Sequence, residues 1–147
     1  MMIADAPFTA SGIATPVEVV QRFNALWPAG DVDGATALVA EHAVYNLYIS
    51  EDLLSVGGQT VGRVNIEAAL RQVRTEFEYL LYRPFDLIAN GNDVRHQVEF
   101  MYRHVRSGEI ISGRFRMIMR VEDGLITRAD EYHDRAKVEA FLRLFGA

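Results

Sequence analysis

The sequence contains no cysteine, no membrane-length apolar run and no excess of positive charge. The lack of cysteine excludes disulfides, thiol catalysis and thiolate metal sites. No apolar stretch is long enough for a membrane span, and the opening MMIADAPFTASG lacks the basic start and apolar core of a secretory signal. The formal net charge of −5 argues against a general surface for nucleic acid or anionic membrane. These absences predict a cytoplasmic protein without nucleic-acid or membrane partners.

The 147 residues are 50% hydrophobic, which is enough for one sizeable core. We expect residues 1–14 to be a flexible N-terminal arm and residues 15–147 to be a single domain. Helical patterns come first and strand patterns later, which is typical of an α+β fold.

Helix boundaries are marked by capping residues. The segment TPVE at residues 15–18 reads as a capping box with proline at the first helical position. The segment PAG at residues 28–30 ends this helix, and Gly146 ends the last helix of the chain. Three further residues of capping type precede segments with apolar residues at helical spacing: Asp31, Asn65 and Asp134.

Strand patterns follow the first helices. Residues 43–48 read as a short strand, residues 55–62 as a loop, and residues 80–89 as an extended segment that Pro84 directs to a sheet edge or a bulge. Alternating patterns then predict a three-strand meander over residues 94–104, 110–121 and 125–133.

The register of the last hairpin decides which side chains share a face. A three-residue loop over residues 122–124, with a bulge at Gly124, places Met117 opposite Ala129 and Phe115 opposite Glu131. A two-residue loop would instead place charges on the apolar face.

The preceding hairpin is expected to turn at residues 107–108, because Ser-Gly is a two-residue turn signal. That register pairs Phe100 with Phe115, Val98 with Met117, Tyr102 with Gly113 and His96 with Met119. The outer face then carries a charged ladder: Glu99, Arg116 and Asp130.

In this arrangement Glu131 is one carboxylate on a face that is otherwise mainly apolar. A carboxylate facing an apolar cavity is a usual starting point for acid–base chemistry. His133 lies two residues further on the same face, and Tyr102 lies across Gly113, so these groups could transfer a proton or activate water. The alternative is structural, with Glu131 accepting hydrogen bonds from Tyr45, Tyr102 or His133.

The remaining candidates have weaker signals. His96 fits a hydrogen-bonded core histidine better than a ligand-binding one. A metal site made of His96, His133 and Glu131 is disfavoured, because the predicted register places these residues at well-separated positions of the sheet. The aromatic and aliphatic residues expected to line a pocket are equally core residues, since the two coincide in a hollow fold: Phe23, Trp27, Leu47, Val98, Phe100, Phe115 and Met117.

The order of elements and the segment GLITRADEYHD resemble the SnoaL-like branch of the nuclear transport factor 2-like superfamily, over roughly residues 15–145. The resemblance implies a cone-shaped, strongly curved, mostly antiparallel sheet with N-terminal helices packed over its concave face. It also implies a pocket between sheet and helices, and a homodimer through the outer sheet face.

Carried over position by position, the resemblance implies a mixed site. The acid/base aspartate of the polyketide cyclases falls on Glu131. The other two members of the Asp–Arg–Asp set of limonene-epoxide-hydrolase-like proteins fall on Val98 and Phe100, and of their water-holding pair only Tyr45 is kept.

The ketosteroid-isomerase-like set is also incomplete. Its oxyanion tyrosine and acid fall on Phe23 and Met117, and its base falls near Asn46 or Leu47.

The leading hypothesis is therefore a small-molecule acid–base enzyme of isomerase, cyclase or hydrolase type. It would need no cofactor and no metal, and would act on an apolar carbonyl-type or cyclic substrate. The candidate catalytic residues are Glu131, His133, Tyr102 and Tyr45. The rival hypothesis is a non-catalytic ligand-binding or assembly module of the same fold.

Overall fold

The computed structural model describes residues 13–145, and its helices and strands follow the predicted order with one additional short strand. In chain order they are α1 (Pro16–Leu26), α2 (Val32–Thr36), β1 (Val39–Leu47), β2 (Gly58–Val61), α3 (Arg63–Glu76), β3 (Phe77–Asn90), β4 (Asp93–His104), β5 (Ile110–Glu122), β6 (Leu125–Tyr132) and α4 (Arg135–Arg143). The predicted arm falls almost wholly outside the described residues, and so does the predicted helix end at Gly146. None of the helices described here is long and apolar enough to cross a membrane.

The capping box at the start of α1 is confirmed. The backbone N–H of Glu18 donates to the Thr15 hydroxyl at 3.3 Å, and the backbone N–H of Thr15 donates to Glu18 Oε1 at 2.9 Å. The caps predicted for α2 and α4 are also present, because Asp31 accepts from the N–H of Gly34 and Asp134 from that of Lys137. These bonds satisfy N–H groups that have no partner inside a helix.

The cap predicted for α3 is wrong. The helix begins at Arg63, and Gly62 holds the N-cap position with φ +93°, a conformation that favours glycine. The Asn65 amide donates back to the Val61 carbonyl at 2.9 Å. The predicted loop over residues 55–62 also contains the short strand β2, which pairs with β1.

The six strands form one curled sheet in the order β2-β1-β6-β5-β4-β3. Only β1 and β6 are parallel, and every other pair of neighbours is antiparallel. Helix α1 contacts β3, β4, β5 and β6, so it packs across the inner face. The predicted α+β class is confirmed, and β3 with its Pro84 is an edge strand, as expected.

The predicted register of the last hairpin is wrong by two residues. Asp123 and Gly124 form a two-residue turn with φ values of +51° and +79°, as a type I′ turn requires. An extra residue, Thr127, then bulges from β6 between the Val121–Ile126 and Arg120–Arg128 pairs. Because of this bulge, the apolar residues of β6 face inward. The predicted three-residue loop would have had the same effect.

The preceding hairpin differs from its predicted register by two residues as well. Its loop has four residues, 105–108, and the backbone N–H of His104 donates to the Glu109 carbonyl at 2.7 Å. The Ser107 hydroxyl bonds His104 Nδ1 and accepts from the N–H of Glu109, so local bonds hold the longer loop.

Because both errors are of two residues, the faces were still predicted correctly. The observed partner of Phe100 is Gly113, that of Val98 is Phe115, and that of His96 is Met117.

The predicted outer ladder Glu99–Arg116–Asp130 does not form. Glu99 accepts from Arg83 at 2.6 Å, and Asp130 is bonded by Arg128, Asn46 and Tyr48. The Arg116 guanidinium lies over the Tyr132 ring, 5.0 Å from its centroid.

Replacing Thr15 with alanine should lower the free energy of unfolding by about 1 kcal/mol, because the capping hydroxyl is lost. Urea unfolding of the variant measures the change. Ser55→Ala, in the exposed loop between β1 and β2, is the control and should leave stability unchanged. Equal stability of Thr15→Ala and wild type would contradict the role of the cap.

Candidate functional site

The parallel pairing of β1 with β6 brings the first candidate contact together. Leu47 lies beside Glu131 and Tyr45 beside Ala129, so the inward side chains of the two strands are neighbours. The Tyr45 hydroxyl donates to Glu131 Oε1 at 2.8 Å. These residues are 86 positions apart, and sheet closure alone places them in contact.

His133 follows directly after β6 and contacts the other carboxylate oxygen. Its Nε2 lies 2.6 Å from Glu131 Oε2, and the exposed fractions of the two side chains are 8% and 15%. The second ring nitrogen, Nδ1, is buried and has no hydrogen-bond partner among the described residues. This contact assigns a ring proton to Nε2, because an ionised carboxylate oxygen can only accept a hydrogen bond.

Aromatic rings hold His133 in place. Its ring centroid is 4.6 Å from that of Phe115 and 5.6 Å from that of Phe100. The carboxylate–histidine pair is therefore packed rather than mobile, which is the kind of preorganisation that acid–base chemistry uses.

The pair opens onto a cavity of about 110 Å³ between the inner sheet face, α1, α3 and α4. Among the described residues that line it, Glu131 is the only acidic one and none is a lysine or an arginine. Most of the wall is aliphatic or aromatic. The cavity is smaller than the usual 300–1,000 Å³ of a site for drug-sized ligands.

Two tyrosines of the wall, Tyr79 and Tyr82, were not predicted as site residues. Both lie on β3, where a bulge at Leu80 lets residues three apart face the same side. A strict period-2 pattern puts them on opposite faces, which is why sequence reasoning missed them. The available signal was the spacing of three aromatics in FEYLLY, residues 77–82, although the predicted extended segment began only at residue 80.

The tyrosines of the wall stay neutral over a wide pH range. Burial, followed by the charge of Glu131, raises the pKa of Tyr45, Tyr79 and Tyr82. For Tyr102 burial again has the largest effect on the raised pKa, followed by Tyr79 and Tyr82 and then by Glu131. All four phenols can therefore donate a hydrogen bond, and all four feel the carboxylate.

Most of the predicted pocket residues do line the cavity, together with three of the predicted catalytic side chains around Glu131. Those that the structure brings to the wall are Phe23, Trp27, Tyr45, Leu47, Phe100, Tyr102, Phe115, Met117 and His133. Val98 and His96 are fully buried beside the cavity and do not line it. The functional roles of all these residues stay predictions.

His96 is paired with α1 instead of the cavity. Its Nε2 lies 3.3 Å from the Asn24 side-chain nitrogen, and the residue is 1% exposed. Burial lowers the pKa of His96 to about 4, although the nearby charge of Glu131 opposes this shift. Within the described chain, no group of three His, Asp or Glu side chains could hold a metal ion.

Comparison with known proteins identifies the family. The model of the SnoaL-like domain matches residues 20–129, which is most of the chain. The chain belongs to the SnoaL-like family. The match ends two residues before Glu131, so the carboxylate–histidine pair lies beyond the matched segment of this SnoaL-like protein. No curated protein matches the sequence.

Solved structures show the same fold. An NTF2-like protein of unknown function from Burkholderia pseudomallei superposes with a TM-score of 0.77 at 18% identity, over 88% of this chain and 98% of that one. A candidate polyketide cyclase from Xanthomonas campestris gives 0.72 at 19%, over 86% and 96%. A protein with a ketosteroid isomerase-like fold from Catenulispora acidiphila, in complex with trimethylamine, gives 0.68 at 17%, over 82% and 87%. At these identities, the similarity between this SnoaL-like protein and the three solved structures shows a shared fold alone.

Acid should destabilise the protein partly through His96. Its pKa is about 4 when folded and about 6.5 when unfolded, so the unfolded state binds the extra proton between these values. This contribution of His96 to the free energy of unfolding is present above pH 6.5 and is lost as the pH falls towards 4. Between pH 7 and pH 4.5 the loss amounts to about 2–3 kcal/mol.

Urea unfolding at pH 7 and 4.5 tests this for wild type and His96→Gln, which keeps a polar side chain but does not titrate. The variant should lose less stability on acidification. His42→Gln is the control, because that side chain is 93% exposed. An equal loss in wild type and His96→Gln would contradict the assignment.

Proposed function

We propose that this SnoaL-like protein is a small-molecule acid–base enzyme in which Glu131 transfers the proton. The observation that supports it is a partly buried carboxylate, held by Tyr45 at 2.8 Å and His133 at 2.6 Å, on the wall of an otherwise apolar cavity. A positioned carboxylate of this kind typically contributes 10²–10⁴-fold to a proton-transfer step.

The proposed substrate is a small carbonyl compound. Glu131 takes a proton from the carbon next to the carbonyl, so the C–H bond breaks and its electron pair forms an enolate. A tyrosine of the wall, Tyr102 or Tyr82, donates a hydrogen bond to the enolate oxygen. Glu131 then returns the proton to another carbon, which moves the double bond and regenerates the carboxylate.

Tyr45 and His133 position the carboxylate in this scheme. Each donates to a different oxygen, and each oxygen of an ionised carboxylate keeps a second lone pair for the reacting proton. The chemistry needs no cofactor. The cavity of about 110 Å³ favours a single ring or a small head group over a fused polycycle. The Catenulispora protein, which shares this fold, was solved in complex with a small molecule, trimethylamine.

The conversion of 3-cyclohexenone to 2-cyclohexenone is a suitable assay, because the conjugated product absorbs in the ultraviolet. Glu131→Gln should lower the rate by about 10²–10⁴-fold, since the amide cannot accept the proton. Glu41→Gln is the matched control, because that side chain is exposed. Turnover by Glu131→Gln at the wild-type rate would remove this residue from the mechanism.

Tyr45→Phe tests the positioning role separately. The ring stays and one hydrogen bond to Glu131 is lost, so kcat should fall by about tenfold with little change in KM. A rise in KM at constant kcat would instead assign Tyr45 to substrate binding.

A non-catalytic module of the same fold is the second candidate. It is favoured by the satisfied state of Glu131, whose two oxygens already accept hydrogen bonds, and by the incomplete sets of the two better-defined catalytic families. Absence of any turnover, together with a stable complex of this chain with another protein in size-exclusion chromatography, would favour the module.

We also propose the homodimer through the outer sheet face. On that face the guanidiniums of Arg114 and Arg116 lie over the rings of Phe85 and Tyr132, at 5.4 and 5.0 Å, which makes a partly apolar surface. Light scattering should give twice the mass of 16.5 kDa, and Arg116→Glu should weaken the dimer. A monomer at every concentration would refute it.

A further inference from the structure

The passage from solvent into the cavity is narrow. Among the described residues that line the cavity, none is exposed, although several are half-buried. The side chain of Glu131, which the proposed function places against the substrate, is 15% exposed. Side chains packed at the density of a protein interior leave few gaps larger than a water molecule. A carbonyl compound of ring size therefore needs an element of the wall to move aside.

The three helices that contribute to the wall are held to the sheet to different degrees. Helix α1 packs across β3, β4, β5 and β6 and buries four of its residues, and α3 packs against β1, β2 and β3 and buries three. Helix α4 buries only two, Glu139 and Leu142. The strands are hydrogen-bonded to one another along the sheet. Helix α4 is thus the wall element that can be displaced with the least loss of packing.

Helix α4 nevertheless covers one side of the cavity. Three of its residues line the void: Val138, Phe141 and Leu142. Their spacing of three and four places them on one face of the helix. The link from β6 to α4 is His133–Asp134, and His133 contacts Glu131 at 2.6 Å. Displacement of α4 would therefore open the cavity beside the carboxylate–histidine pair.

Two hydrogen bonds tether α4 to the backbone of other elements. Glu139 Oε2 accepts from the N–H of Ser50, in the loop between β1 and β2, at 2.8 Å. The Lys137 ammonium donates to the carbonyl of Ser112 on β5. Arg135 Nε, on the same helix, lies 2.7 Å from Glu139 Oε2 and holds the carboxylate in place. Each tether is a single side-chain bond, so it can break and re-form while the sheet stays intact.

The other contacts of α4 are apolar and allow the helix to slide. The rings of Phe141 and Phe145 lie against the ring of His104, with centroids 6.4 and 4.8 Å apart. A side chain at Gly113 would crowd one tether, because its Cβ would lie 3.4 Å from Lys137 Nζ. The missing side chain of this glycine leaves the lysine room to reach the backbone of β5.

We propose that α4 is a lid on the cavity, which the Glu139 and Lys137 tethers hold shut and which moves aside to admit the ligand. The proposal rests on the proposed function for the identity of that ligand alone. It adds the way in which access to the site is regulated. The tethers set the fraction of molecules that are open, and this fraction sets the rate at which a ligand enters.

The lack of cysteine in the chain allows a test that needs no ligand. A thiol placed on the cavity wall by Ala129→Cys reports opening through its rate of alkylation by iodoacetamide, because Ala129 lines the cavity and is buried. Val94→Cys is the matched reporter of general unfolding. Val94 is fully buried and does not line the cavity.

Loss of either tether should open the lid more often. In the Ala129→Cys protein, Glu139→Ala and Lys137→Met should each raise the alkylation rate by about tenfold, because one charge-assisted hydrogen bond is lost. Glu139→Gln and Lys137→Arg keep a bonding group and should have smaller effects. In the Val94→Cys protein the same changes should leave the rate nearly unchanged. Glu41→Gln, an exposed position outside α4, is the control for a change of surface charge.

Hydrogen exchange of the unsubstituted protein gives a second measurement, which does not depend on the folding of any variant. The backbone amides of α4 should exchange together and earlier than those of α1, because the lid opens without unfolding of the sheet. Protection of α4 equal to that of α1 would overturn the proposal. Unchanged alkylation at Ala129→Cys after loss of both tethers would also overturn it, and so would equal acceleration at Ala129→Cys and Val94→Cys.

These outcomes are separate from the fate of the enzyme hypothesis. Alkylation and exchange need neither a substrate nor Glu131. Absence of ketone turnover with a lid that opens would refute the proposed function alone, and turnover that depends on Glu131 with an immobile α4 would refute the lid alone.

Discussion

The parallel pairing of β1 with β6 is the constraint on which the site depends. It joins the first long strand of the chain to the last one, and it lets the Tyr45 hydroxyl reach Glu131 at 2.8 Å. It also closes the sheet around the inner face, where α1 packs. Without this pairing the carboxylate would lose one of its two donors, and the cavity would lose one side of its wall.

Two bulges then select which side chains face the cavity. The extra residue Thr127 shifts β6 so that Glu131 turns inward, and the extra residue Leu80 lets Tyr79 and Tyr82 share the inner face. A shift of one residue reverses every side chain of a strand, so a single bulge decides whether a site exists. In this protein both halves of the cavity, the acidic one and the aromatic one, depend on such a residue.

The resulting site combines a satisfied carboxylate with a small cavity. The donors of Glu131 come from β1 and from the residue directly after β6, and the packed Phe100 and Phe115 rings fix His133 beside it. This arrangement keeps a charged group in an apolar place, where burial would otherwise be unfavourable. It also limits what can enter, because a space of about 110 Å³ admits only a compact group.

Local chemistry in the sequence determined the helix starts at Thr15, Asp31 and Asp134, and the division of the last strands into an inner and an outer face. Both follow from neighbours within a few residues, through capping bonds and period-2 alternation. The registers, the β3 tyrosines and the Tyr45–Glu131 contact were decided only by the tertiary structure. The strand register depends on turn length and on bulges, and several of these local alternatives have nearly equal free energy. Contacts between residues 86 positions apart exist only once the sheet has closed.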